Sequence, residues 1–280
     1  MTRLPAQLEP TEQWLAALSA DPASAQDRDL AGALVWRGVA VGRWMRERPL
    51  ATTRKTSVSD IVTEADHRAE ADIVAALAAL RPADGILGEE GAARASASGR
   101  TWIIDPVDGT YNYASRLGSW CSAIALRAEG DSLIGAVASG ATGETWIGQT
   151  EGDGPGLLLH DGKPAPSLLD TALADIALTT YLHPTRMHDP DVIEPWLAAC
   201  SGAATVRMLG SGSLDLAAVA AGRAGGFLQS GTADWDWYPG IALVRAAGGK
   251  AQVVHHRGHR WHIAGPARVV ADVAERLLGA

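Results

Sequence analysis

Two carboxylates stand three residues apart in the string Trp102-Ile103-Ile104-Asp105-Pro106-Val107-Asp108-Gly109-Thr110. Trp102, Ile103 and Ile104 have the composition of a buried strand, which Asp105-Pro106 is expected to terminate. Pro106 stiffens the turn that follows, and Gly109 permits close approach of the backbone. Asp105 and Asp108 on one rigid turn repel each other when both are ionised, and a bound cation resolves that repulsion. Hard divalent cations take oxygen ligands, and Mg²⁺ combines a few carboxylates with water and substrate phosphate. If Thr110 opens a helix, the Gly109 and Thr110 N–H groups point outward, as a helix start that holds phosphate requires. Carboxylates for a metal beside amides for an anion suggest metal-assisted hydrolysis of a phosphoester. On spacing alone, the same two acids also fit a solvated strand–loop junction.

The flanking segments have to position this turn. Leu30 to Arg46 carries apolar residues at helical spacing, and Ala69, Ile73, Leu77 and Leu80 mark one face of a second helix. Thr63 suits the N-cap of that helix, with Glu64 and Asp66 in its acidic first turn and Arg81-Pro82 at its end. The first ten residues read as a loose tail, and Thr53–Asp60 as a polar loop or short strand. Ile86-Leu87 is a short apolar run ending in Gly88-Glu89-Glu90, and Gly91–Gly99 reads as a mobile surface loop. Cys121–Arg127, Leu133–Ser139 and Thr145–Gln149 form an expected antiparallel meander, with turns at Glu129-Gly130-Asp131 and Thr142-Gly143. A hairpin is expected at Asp161-Gly162.

After residue 170 the rhythm alternates. Strands are expected at Ile176–Thr180, Thr205–Met208, Gly226–Leu228, Val253–His255 and Val269-Val270. Helices are expected at Asp189–Ala199, Ser213–Ala221, Gly240–Ala247 and Ala271–Leu278. The reading is an α+β half over residues 1–150, carrying the acidic turn, and an α/β half over 151–280, packed as one compact layered unit. His255, His256, His259 and His262 fall in a basic, hairpin-like tract and are expected to be exposed.

The 280 residues carry 24 Lys and Arg against 32 Asp and Glu, a formal charge of −8. That balance disfavours nucleic acid and anionic lipid as partners. Two cysteines, Cys121 and Cys200, exclude a disulfide framework and a Cys-rich zinc site, and both are expected to be core thiols. The N-terminal residues lack an apolar signal core, and Leu30–Val41, broken by Arg37, is too short to span a bilayer. A cytoplasmic location is the default expectation.

The string from Trp102 to Tyr113, WIIDPVDGTYNY, resembles the signature of the inositol monophosphatase family, W-I-I/V-D-P-I/L-D-G-T-x-N-F/Y. Three further segments agree in order: Lys55 with Asp60–Asp66 (D-x-V-T-x-x-D), Gly88-Glu89-Glu90 (G-E-E), and Trp235-Asp236 followed by Ala246–Gly249 (W-D…E-A-G-G). The resemblance implies an alternating α-β-α-β-α sandwich like that of sugar phosphatases, and a Mg²⁺-dependent, Li⁺-sensitive phosphomonoesterase acting on a small phosphorylated substrate. It implies that Glu89, Asp105, Asp108 and Asp236 ligate the metal with the Val107 carbonyl, Asp105 bridging two ions. It implies that Glu89 holds the attacking water, which Thr110 positions and Asp66 orients through Thr110. It places the Gly109 and Thr110 amides on the phosphate, Gly210 and Ser211 along the substrate pocket, and Lys55 near the metals. A homodimer is also implied.

Two departures concern the substrate. Gln229 stands where the family's sugar-binding glutamate lies, which keeps an acceptor and drops the charge. Trp237 and Tyr238 replace residues that are usually small. Inositol 1-phosphate, histidinol phosphate, fructose 1,6-bisphosphate and a nucleotide 3′-phosphate all remain open as substrates, as does a non-catalytic metal-binding relative.

Overall fold

The computed structural model describes residues 8–48, 52–54, 61–128, 133–150 and 156–280. The chain enters through α1 (Thr11–Ala20) and α2 (Asp27–Arg46), followed by the short antiparallel pair β1 (Thr52–Arg54) and β2 (Ile61–Thr63) and by α3 (Glu64–Leu80). Leu30, Leu34, Val35 and Val39 of α2 are fully buried, with Asp27 and Asp29 in the first turn and Arg43 and Arg46 in the last. Arg37, the charged residue in that apolar stretch, is buried because its guanidinium donates to Asp72 of α3 at 2.7 Å. Thr63 caps α3 in a capping box with Asp66.

Next come β3 (Gly85–Gly88), β4 (Ala93–Arg94), β5 (Thr101–Asp108), the short helix α4 (Thr110–Ala114), β6 (Cys121–Arg127), β7 (Leu133–Ser139), β8 (Thr145–Thr150), β9 (Leu157–His160) and β10 (Lys163–Pro164). These strands form one eight-stranded sheet in the order β10-β9-β8-β7-β6-β5-β3-β4. The expected meander is present, and only β3 runs parallel to its neighbour β5. Two sequence expectations change here. The strand β5 does not stop at Asp105-Pro106 but continues to Asp108. Its register against β6 shifts between Asp105 and Asp108, and such a bulge accommodates a proline that has no N–H for the ladder. The segment Gly91–Gly99 is not a free loop: β4 pairs with β3, and Arg94 Nε and Ser98 Oγ donate to the Asp84 carbonyl and carboxylate. The sheet also reaches Pro164, beyond residue 150. The Asp161-Gly162 hairpin has both residues at positive φ, 49° and 73°, as a tight β-hairpin turn requires. The expected turn at Glu129–Asp131 lies outside the described residues.

The remaining chain gives β11 (Ala177–Tyr181), α5 (Pro190–Cys200), β12 (Thr205–Arg207), α6 (Gly212–Ala220), β13 (Gly226–Ser230), α7 (Asp234–Ala246), β14 (Lys250–His256), β15 (His259–Gly265) and α8 (Ala267–Leu278). A five-stranded sheet runs β12-β11-β13-β15-β14, with β11 parallel to both neighbours and β15 antiparallel to both. Val269 and Val270 belong to α8 and not to a strand, because Val269, Val273 and Leu277 repeat at i, i+4 and i+8 and bury one helix face. The helix α7 begins at Asp234, well before the expected Gly240, and incorporates Pro239. His262, expected to be exposed, is only 1% exposed. It faces Gln229 across the β13–β15 pair and meets the Trp237 ring edge-on at 4.9 Å.

The layers alternate: α2 and α3, the large sheet, α6 and α7, the small sheet, then α5 and α8. One core lies between α2/α3 and the large sheet, around Leu34, Ile73, Trp102 and Ile124. A second fills the middle, around Val137, Leu216, Phe227 and Ile241, and a third joins the small sheet to α5 and α8. This is the expected α-β-α-β-α sandwich. Cys121 and Cys200 are both buried free thiols. No described helix is long and apolar enough to cross a membrane.

Candidate active site

The bulge at the end of β5 turns both of its acids inward. Asp105 is 1% exposed and Asp108 6% exposed. Asp236 joins them from the first turn of α7, in the middle helical layer, and one carboxylate oxygen from each of the three lies within 4.8 Å of the other two. Burial pushes all three carboxyls above the ordinary range, and the charges of Glu89 and Asp108 push Asp105 and Asp236 further. The Glu89 carboxylate, carried by the turn after β3, acts on these acids electrostatically but is not one of the three within 4.8 Å. Asp108 is the best satisfied member: Ser213 N donates to its Oδ2 at 2.6 Å, and the Cys121 thiol lies 3.7 Å away.

Gly109 follows with φ 85°, a left-handed conformation that suits glycine. A side chain there would also strike the Ser119 carbonyl at 2.8 Å and the Gly210 carbonyl at 3.1 Å. The turn thus closes onto the loop before α6, which brings Gly210 and Ser211 to the motif. Asn112 ties the two together by donating to the carbonyls of Ser119 at 2.8 Å and Leu209 at 2.7 Å. Thr110 opens α4 as expected. Its hydroxyl lies 3.2 Å from Asp66 Oδ1 and 3.0 Å from the Val107 carbonyl, both acceptors. The other Asp66 oxygen accepts the Thr63 N–H at 2.9 Å and the Thr63 hydroxyl at 2.5 Å. Asp66 is 0% exposed, and burial raises its carboxyl to about 6 against the pull of those donors.

Gln229 is the penultimate residue of β13, half-buried, in register with Tyr181 on one side and His262 on the other. Trp237 fills core space between Phe227 and His262, while the Tyr238 hydroxyl accepts from Arg127 at 2.9 Å. Lys55 lies outside the described residues. Two buried acids near the site carry no motif signal that singled them out. Asp215 of α6 is raised to about 8 by burial and by Asp108. Glu70 of α3 accepts the Glu90 and Ala92 N–H groups, both at 3.0 Å. Its place one helical turn beyond Asp66 is the signal that could have found it.

The donor set suits a hard divalent cation. It consists of three carboxylates, and Asp105 Oδ1 is buried with no hydrogen-bond partner among the described residues. Uncompensated acids packed this closely have an obvious cation-shaped remedy.

The inositol monophosphatase family model matches residues 29–278. The inositol-1-monophosphatase ImpA of Mycolicibacterium smegmatis is 36% identical over 198 residues, covering 68% of this chain and 69% of that protein. The probable inositol 1-monophosphatase ImpA of Mycobacterium tuberculosis is 35% identical over 240 residues, covering 78% and 82%. Among solved structures, the inositol monophosphatase from Anabaena superposes with a TM-score of 0.75 at 25% identity, covering 90% of this chain and 95% of that one. The Thermotoga maritima IMPase gives a TM-score of 0.75 at 25% identity, covering 90% and 98%. The sequence match, the layered fold and the acidic cluster agree: the chain belongs to the inositol monophosphatase family and is a metal-dependent phosphoric monoester hydrolase acting on small phosphate esters.

Proposed function

We propose that the enzyme uses Mg²⁺ to hydrolyse inositol 1-phosphate or a close relative, with Glu89, Asp105, Asp108 and Asp236 and the Val107 carbonyl holding the metal. The convergence of three carboxylates within 4.8 Å beside the Asp66–Thr110 contact carries this reading. Bound there, Mg²⁺ would lower the pKa of a coordinated water, neutralise phosphate charge and stabilise the leaving alkoxide. The protein's own groups supply the rest. The Gly109 and Thr110 N–H groups bind phosphate oxygens at the head of α4. Glu89 accepts a hydrogen bond from the attacking water, and Thr110 accepts another at its hydroxyl oxygen while its own proton is held by Asp66 or Val107. The oxygen–phosphorus bond to water forms as the ester bond breaks; one proton of that water ends on the departing alkoxide and the other stays with the phosphate, so no covalent enzyme intermediate is needed.

Gly210, Ser211 and Gln229 line the alcohol side in this reading, and Lys55, on its motif alone, adds positive charge near the metal. The relatives' names support an inositol phosphate as substrate. Gln229 weakens that preference relative to a glutamate, since a neutral amide is a poorer acceptor for sugar hydroxyls. Lithium sensitivity, a homodimer and a cytoplasmic location complete the proposal. The test is phosphate release from inositol 1-phosphate, histidinol phosphate, fructose 1,6-bisphosphate and nucleotide 3′-phosphates, with and without Mg²⁺. Turnover of inositol 1-phosphate that requires Mg²⁺ and exceeds the others supports the reading; a clear preference for another ester replaces the substrate.

A further inference from the structure

We propose that Glu70 is a positioning residue, a carboxylate clamp that holds Glu89 at the metal centre. Glu89 sits between two pinned peptide groups. Its own N–H donates to the Ile104 carbonyl of β5 at 3.1 Å. The N–H of the next residue, Glu90, donates to Glu70 Oε2 at 3.0 Å, and that of Ala92 to Glu70 Oε1 at 3.0 Å. The peptide planes on both sides of the Glu89 α-carbon are therefore fixed, one to the strand that carries Asp105 and one to the helix that carries Asp66. The approach is close: a β-carbon on Gly88 would stand 2.2 Å from Glu70 Oε2. Gly91, at φ 103°, lets the chain curl so that both amides face one carboxylate.

The residue type follows from that geometry. Glu70 is 6% exposed and lies beside other acids, so burying its charge is unfavourable in itself. Glutamine has the same size without the charge, but offers one acceptor oxygen, and its NH₂ group would face the second amide N–H. Only a carboxylate accepts from both. Asp66 and Glu70, four residues apart on one face of α3, thus arrange two parts of the site: Asp66 holds Thr110 and Glu70 holds the turn of Glu89.

The proposal rests on Glu89 ligating the metal, so Glu89→Gln is measured alongside Glu70→Gln and Glu70→Asp. Aspartate keeps the charge but is one methylene too short to span both amides. The readouts are Mn²⁺ and Mg²⁺ binding to the substrate-free protein by titration calorimetry, and kcat and KM at saturating metal. Loss of a residue that orients a metal ligand costs about 10- to 100-fold in metal affinity. Both Glu70 variants are expected to show that loss, with a lowered kcat and a smaller change in KM. Metal affinity within about twofold of the parent in either folded variant overturns the clamp. Retained affinity in Glu89→Gln overturns instead the reading of Glu89 on which the clamp depends. Amide exchange in the unsubstituted protein gives a check independent of variant folding: the Glu90 and Ala92 N–H groups are expected to be protected, and rapid exchange at either refutes the clamp.

Discussion

Replacing Asp105 with asparagine is expected to abolish turnover and yet stabilise the metal-free protein. Asp105 shares a buried space with Asp108 and Asp236, carboxylate oxygens of the three lying within 4.8 Å of one another. At an effective dielectric of about 20, unit charges at that separation repel by about 3 kcal/mol per pair. Protonation limits the total, because a carboxyl that is ionised in the unfolded chain at pH 7 can be neutralised on folding for about 4 kcal/mol, or 1.36 × (7 − 3.9). Asparagine removes that cost, and its NH₂ donors find the remaining carboxylates as acceptors. The expected gain is about 2–4 kcal/mol, a rise in Tm of about 4–10 °C for a chain of this size.

The sign also fixes the pH dependence. A carboxyl raised on folding binds protons in the folded state that the unfolded state has released, so stability falls as pH rises between the two pKa values. For Asp66 the fall spans about pH 4 to 6, and for Asp215 about pH 4 to 8. The assay is thermal unfolding of the chelator-treated protein and its Asp105→Asn variant from pH 5 to 8, with and without Mg²⁺. With metal at 1,000 times its Kd the order should reverse, since binding then adds about 4.1 kcal/mol to the parent alone. A metal-free Asp105→Asn protein less stable than the parent at pH 8, or one that Mg²⁺ stabilises as much as the parent, refutes the argument.

Four other outcomes are expected. Thr110→Val removes the hydroxyl held by Asp66 and should lower kcat by about 10²–10⁴-fold with little change in KM, read by steady-state kinetics. Gly109→Ala forces a β-carbon against the Ser119 carbonyl at a backbone φ of 85°, and should raise KM for phosphate esters and weaken inhibition by inorganic phosphate. Gln229→Glu should shift relative kcat/KM toward inositol phosphates; unchanged ratios across the substrate panel remove this position from the specificity argument. Millimolar Li⁺ should inhibit Mg²⁺-dependent phosphate release, and insensitivity would contradict the proposed metal arrangement.

Local chemistry made much of this protein legible without coordinates. The helical spacing of Ala69, Ile73 and Leu77, the Thr63 cap and the turn residues Asp161-Gly162 act over a few neighbours, and the corresponding elements formed where expected. The motif from Trp102 to Tyr113 disclosed the acidic turn because its residues are contiguous. Tertiary structure decided the rest. Continuation of β5 through Pro106 depends on a bulge against β6, and the burial of His262 on Trp237 and Gln229 across the sheet. Val269-Val270, apolar and β-branched, has strand propensity as a pair, but the i, i+4 partners Val273 and Leu277 place it in a helix. Glu70 had no signature of its own, since its partners are backbone amides 20 and 22 residues away and amides leave no trace in side-chain identity. The amino-acid order alone determined which groups could bind a metal and an anion. Folding decided which of them share one low-dielectric space, because the distances that set their charge states are made by packing between layers.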